Sequence, residues 1–183
     1  MKINNNNQYE NLFIFLKAYS YAYGGWRGVF LSPLFHIAIL ITILTYPIWH
    51  VRQNYFCWFE LSIAIIPNML GFTLAAYAAL MAFGSKKFIE TMSGHYSDGN
   101  ASPFLQTSAA FFHFIFIQLL ALIMAILSKA YQLDEGLFAA VGMLLLSYSL
   151  FTGLGAAFAV FALTRLFDQY IEMLEEIRRN KNK

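Results

Sequence analysis

The sequence predicts an all-α, polytopic membrane protein: four transmembrane helices with cytoplasmic amphipathic helices at the N- and C-termini. Three observations predict it. Four apolar segments, approximately Leu31 to Trp49, Trp58 to Phe83, Leu105 to Leu127 and Leu137 to Leu163, fill most of the 183 residues. At about 1.5 Å per residue each is at least about 28 Å long, which matches a hydrocarbon core of roughly 30 Å. Second, 59% of residues are apolar and 12% charged, where a soluble domain carries about 25% charged residues. Third, of the 12 Lys and Arg only Arg52 and Lys129 fall on one side of the four spans. The rest lie in the termini and the 84–104 loop, which assigns both ends and that loop to the cytoplasm.

The chain divides into a cytoplasmic N-terminal tail and interfacial helix (1–30), a four-helix membrane domain (31–163) and a C-terminal helix with a basic tail (164–183). Met1 to Gln8 holds four consecutive asparagines and offers nothing to bury, so it reads as disordered. Leu12, Phe15, Leu16, Tyr19 and Tyr23 then recur at helical spacing up to Gly24-Gly25. Such an amphipathic helix lies on the inner leaflet or docks against the cytoplasmic ends of the spans. Ser32-Pro33 opens the first span, with Ser32 placed to cap it. Trp49, Tyr55, Phe56, Trp58 and Phe59 bracket the short outer connection as an aromatic belt.

In the second span Pro67 removes one helix hydrogen bond and crowds the Ile63 carbonyl, so a kink is expected. Gly71, Ala75, Ala78, Ala79 and Ala82 give that span a small-residue face, and Gly153, Gly155, Ala156, Ala157 and Ala159 give the fourth span another. Spans two and four are therefore expected to pack closely, with Gly71, Ala75, Ala79, Gly153 and Ala157 at the contact. Between spans two and three, KKFIETM reads as a short basic helix and SGHYSDGNASP as a loop, the largest inner surface for a cytoplasmic protein partner. Asp134-Glu135-Gly136 makes a tight outer turn. Past the fourth span, Leu163, Phe167, Tyr170, Leu174 and Ile177 step by 4, 3, 4 and 3, and Glu175 pairs with Arg179. One helix is expected from Leu137 to about Arg179, its apolar edge serving an oligomer or partner, or folding onto the chain's own inner loop.

Polar residues narrow the function. No Asp, Glu, Lys or Arg lies deep in any span, which speaks against a proton-coupled transporter. Thr42, Asn68, Gln118 and Ser149 fall near the midplane, one on each span. They either fix packing through interhelical hydrogen bonds or form a polar constriction in an oligomeric pore. His36 and His113, near the cytoplasmic face, could meet as a metal or pH-sensing pair, although isolated histidines more often bond hydroxyl or backbone partners. His50 and Glu60 could meet outside. HExxH, GxSxG and phosphate-binding glycine loops are absent, so neither an enzyme nor a cofactor is expected. The single Cys57 rules out an intrachain disulfide, and a net charge of +2 gives no footprint for direct nucleic acid binding.

The stretch IIPNMLGFTLAAYA, together with the topology of residues 31–163, resembles the small four-helix membrane subunits of prokaryotic anti-phage defence operons, most nearly the transmembrane subunit of the two-component Kiwa system. The resemblance transfers no site residue. It implies a homo-oligomeric membrane sensor or scaffold that recruits a cytoplasmic effector when infection perturbs the envelope. The residues leave a second class open, an oligomeric membrane pore.

Overall fold

A computed structural model describes residues 8–50, 57–83, 86–93, 101–133 and 135–181. The asparagine tail, Tyr55, Phe56, the centre of the 84–104 loop and Asp134 lie outside the described residues. The elements are α1 (Gln8–Tyr23), α2 (Gly25–Phe30), α3 (Pro33–Leu44), α4 (Tyr46–His50), α5 (Trp58–Phe83), α6 (Lys86–Met92), α7 (Pro103–Tyr131) and α8 (Gly136–Lys181). No strand occurs among the described residues. Among the described residues three helices are long and apolar enough to cross a membrane: α5, α7 and α8.

The segment expected as the first span is two helices. α3 has 12 residues, about 18 Å, and ends at Thr45. A proline at position 47 lacks the N–H that would continue the ladder to Ile43. The break is satisfied locally: Thr45 Oγ1 donates to the Ile41 and Thr42 carbonyls at 2.8 and 3.1 Å, and Trp49 Nε1 donates to the Thr42 carbonyl at 2.7 Å. Ser32 does start α3, but its side chain makes no cap bond and Pro33 fills the first turn.

α5 passes through Pro67 without a break and keeps its expected bounds. α7 starts two residues earlier than expected because Ser102 caps it, its hydroxyl accepting from the Leu105 N–H at 3.3 Å. α8 is one helix of 46 residues, about 69 Å, with the expected Glu175–Arg179 pair at 3.4 Å. Both partners of that pair are exposed, so it adds little stability.

α8 is the hub, touching α3, α4, α5 and α7, while α5 also packs on α7. At one end Trp58 and Phe59 are buried at 1% and 6% exposure in a cluster with Ile66, Ala121, Met143 and Leu146. This corrects the aromatic-belt expectation for both residues. Gly142 of α8 is the cause: a Cβ there would run into the Trp58 indole, so only glycine admits that ring into the core. At the other end α6 lays Phe88 against Phe167 and Tyr170 of α8, ring centroids 5.3 and 5.5 Å apart.

Candidate functional site

The polar centre of the molecule is His113, 2% exposed, ten residues or about 15 Å along α7. Both ring nitrogens are engaged: Nδ1 lies 2.7 Å from the Tyr19 hydroxyl of α1 and Nε2 lies 2.7 Å from the Tyr148 hydroxyl of α8. A neutral imidazole carries one donor and one acceptor, and a phenol can be either, so the three groups satisfy one another in either tautomer. Tyr23 stacks on the imidazole, centroids 4.2 Å apart, and its hydroxyl bonds Tyr148. Tyr19 packs edge-on against Phe112 at 5.1 Å. The N-terminal helix is thus clasped to α7 and α8 by one histidine and three tyrosines.

The local sequence places these groups. Tyr19 and Tyr23 sit four apart and so share one face of α1, and Gly24 and Gly25 follow at φ +86° and +59°, left-handed values that glycine adopts without penalty. The chain therefore turns immediately after Tyr23 into α2 and α3. Of the apolar positions that defined α1 in the sequence, Tyr19 and Tyr23 meet α7, whereas Leu12, Phe15 and Leu16 remain about half exposed and face away. Burial raises the Tyr19 phenol to about 12, with Tyr23 adding to the shift, and raises Tyr23 further still.

The expected polar layer does not converge. Thr42 and Ser149 are buried, but each donates to its own helix, to the Ala38 and Leu146 carbonyls at 2.8 and 2.7 Å. Gln118 Nε2 instead finds Thr73 Oγ1 of α5 at 3.0 Å, while Gln118 Oε1 is buried without a partner. Asn68 is exposed on the outer face of α5, its one bond a 3.4 Å contact to the Ala64 carbonyl. An interhelical role for Asn68 inside one chain is thereby corrected.

The small-residue expectation is corrected in the same way. α5 meets its neighbours through Ser62, Ile66, Met69, Thr73 and Ala76, a face two residues out of register with Gly71 and Ala75. Gly153 of α8 does admit an α5 side chain, but that of Met69, and a Cβ on Gly71 would touch nothing within 4 Å. Ala79 and Ala157 line a cavity between α5 and α8 instead of a close contact.

On the long tail, Tyr170 is 7% exposed beneath Phe88 while Leu174 and Ile177 stay exposed. The apolar edge past the fourth span thus folds onto the chain's own α6 at Phe167 and Tyr170 and is uncovered beyond. His36 is exposed and does not meet His113, His50 stacks on Tyr46 at 4.4 Å, and Glu60 pairs with Lys129 at 3.9 Å. Among the described residues no three His, Cys, Asp or Glu side chains gather as a metal site. Tyr148 and Thr73 carry no distinguishing sequence signal, because a tyrosine or threonine in an apolar run looks like packing.

No protein-family model, curated protein or solved structure matches the chain.

Proposed function

We propose that the chain is a non-enzymatic scaffold or sensor subunit of a bacterial inner membrane that assembles with copies of itself and holds a cytoplasmic protein partner, as in the anti-phage subunits it resembles. In this reading α3 and α4 together, about 27 Å along residues 33–50, serve as the first span beside α5, α7 and α8. The termini, the 84–104 loop, and the Leu174 and Ile177 edge of α8 face the partner.

The observation that carries the reading is the uncovered face of α5. Ala64, Asn68, Gly71, Ala75, Ala78 and Ala82 are all exposed, and they follow one another by steps of four and three along one helical stripe. An amide presented to hydrocarbon is costly unless another helix supplies a partner, and interhelical bonds of this kind contribute about 0.6 to 2 kcal/mol. Glycine and alanine at four-residue spacing allow the second helix to come close enough to supply it. The clasped α1 would carry the sensing step, since it joins the cytoplasmic N-terminus to α7 and α8 through His113.

The test is the mass of the purified complex in detergent or nanodiscs. Gly71→Leu and Ala75→Leu should shift it toward monomer while leaving helix content unchanged; an unchanged mass would remove α5 from the interface. Asn68 also keeps the second reading open, because copies assembled with this amide inward would form a polar constriction. Conductance of the reconstituted protein, abolished by Asn68→Leu, would favour that pore.

A further inference from the structure

The run from Asn11 to Phe59 holds no acidic residue, and its cations before Pro33 are Lys17 and Arg27 alone. Within it α1 turns into α2 at Gly24-Gly25, and Trp26, Phe30 and Leu31 beyond the turn are 79%, 55% and 72% exposed. Three large apolar side chains so close together mark a surface that meets something other than water. Depth says what that is. Gln106 and Lys129, both exposed, stand about 35 Å apart along α7 with no charged residue between them. A hydrocarbon core of roughly 30 Å centred between them places His113 about 8 Å inside it. Tyr23, the last residue of α1, stacks on that imidazole. Leu34, at the start of α3, lies beside Phe114, since a Cβ on Gly155 would meet Phe114 Cζ at 2.9 Å and Leu34 Cδ1 at 3.0 Å. The six residues of α2 are therefore tied at both ends to this depth.

Backbone chemistry agrees. Hydrocarbon tolerates a bend only where the chain's own N–H and C=O groups are satisfied without water. The Gly24 carbonyl accepts from the Gly28 N–H at 3.1 Å, the Arg27 carbonyl from Leu31 at 2.9 Å and the Val29 carbonyl from Ser32 at 3.1 Å. The Ser32 carbonyl then takes the Phe35 and His36 N–H groups at 3.1 and 3.2 Å. Lys17 and Arg27 have long apolar stems that carry their charge back toward the headgroups. We infer that α1 and α2 form a re-entrant elbow whose Trp26, Phe30 and Leu31 contact the acyl chains of the leaflet nearer Pro103, the cytoplasmic one in the topology proposed above. Ring contacts from Trp26 to Phe30, Phe30 to Phe35 and Phe35 to Tyr148, at 6.2, 5.5 and 5.3 Å, lead from that lipid face to the clasp. On the sensor reading, acyl-chain packing in this leaflet is the input that reaches α7 and α8; the lipid contact itself does not rest on that reading.

The test uses the full chain in phosphatidylcholine nanodiscs, with Cys57→Ser and one spin-labelled cysteine at a time, Trp26→Cys or Leu31→Cys. Labels from Ile123→Cys on α7 and Ile177→Cys on the tail of α8, both exposed positions, are the references. Collision with oxygen, which partitions into acyl chains, and with a water-soluble nickel chelate is read from power saturation. Both elbow labels should match the oxygen-rich, nickel-poor pattern of the label at position 123. A nickel-rich pattern like that at position 177 would place the elbow in water and overturn the lipid contact. Low access to both reagents would mean that protein covers the face, a second copy where the spins broaden one another, and would overturn it equally. The unmodified chain decides the question if the cysteine variants fail to fold. Phosphatidylcholine with a diazirine in mid-acyl chain should then label residues 18–31 about as strongly as residues 116–127, and label on the second segment alone contradicts the elbow.

Discussion

Replacing Tyr19 by phenylalanine isolates the clasp, because it removes one hydroxyl and keeps the ring against Phe112 and Tyr23. His113 Nδ1 then loses its 2.7 Å partner at a site where the side chain is 2% exposed. A buried polar atom left unpaired costs about 1–3 kcal/mol, which multiplies the undocked fraction of α1 by about 5 to 150. Trypsin cleavage after Lys17 reads that fraction directly, since cleavage inside a helix needs local opening, and its rate follows the open population when reclosing is fast. Cleavage at Arg178 and Arg179, far along α8, serves as the internal reference. The ratio of the two cleavages should rise by at least about five-fold in Tyr19→Phe and stay unchanged in Tyr9→Phe, where the side chain is 85% exposed. An unchanged ratio in Tyr19→Phe would refute the claim that the hydroxyl holds α1 in place.

Alkaline pH should also release α1. Docked Tyr19 keeps its proton to about 12, whereas undocked it ionises near 10.0, so docking is at full strength below pH 10 and weakens as pH rises toward 12. The tyrosinate absorbance lost in Tyr19→Phe should titrate near 12; a component titrating near 10 contradicts the burial. Gly142→Ala should lower the thermal midpoint by overpacking worth about 1–3 kcal/mol, with partial recovery when Trp58→Leu is added, and no loss would mean the indole is not held there. Gln118→Leu alone should destabilise by about 1 kcal/mol, but Gln118→Leu with Thr73→Val should cost less than the sum of the two single changes; strict additivity in chemical denaturation would deny their hydrogen bond. In a chain lacking Cys57, cysteines at positions 2, 95 and 180 should react only in permeabilised cells and cysteines at Asn54 or Gln132 from outside, and external reaction at 95 would overturn four spans.

Helix extents were largely legible because hydropathy and helix length are local properties: Trp58 to Phe83 and the long run from Leu137 past the bilayer came straight from the pattern. The break at Thr45 was not, since one threonine and one tyrosine do not end an apolar run in a membrane-length window, and only the missing N–H of Pro47 marks it. Facing was the harder problem. Lipid is as apolar as a protein core, so the side chains of α5 that meet α8 and those that meet the bilayer obey the same preference. The stripe from Gly71 to Ala82 was visible, yet nothing in its composition says that Met69 and Thr73 turn inward instead. The clasp is half legible: Tyr19 and Tyr23 stand out by their helical spacing and His113 by its place in an apolar run, but pairing residues 94 positions apart requires the turn at Gly24-Gly25 and the register of α7 against α8.

The most direct measurement on self-assembly is disulfide trapping in native membranes. In a Cys57→Ser background, single cysteines at Ala75 and Ala78 on the uncovered face of α5, and at Ala76 on the face turned toward α8, are oxidised and run on non-reducing gels. The account predicts crosslinked dimers from Ala75→Cys and Ala78→Cys and none from Ala76→Cys. Dimers from all three alike, or from none, would contradict an interface built on that stripe.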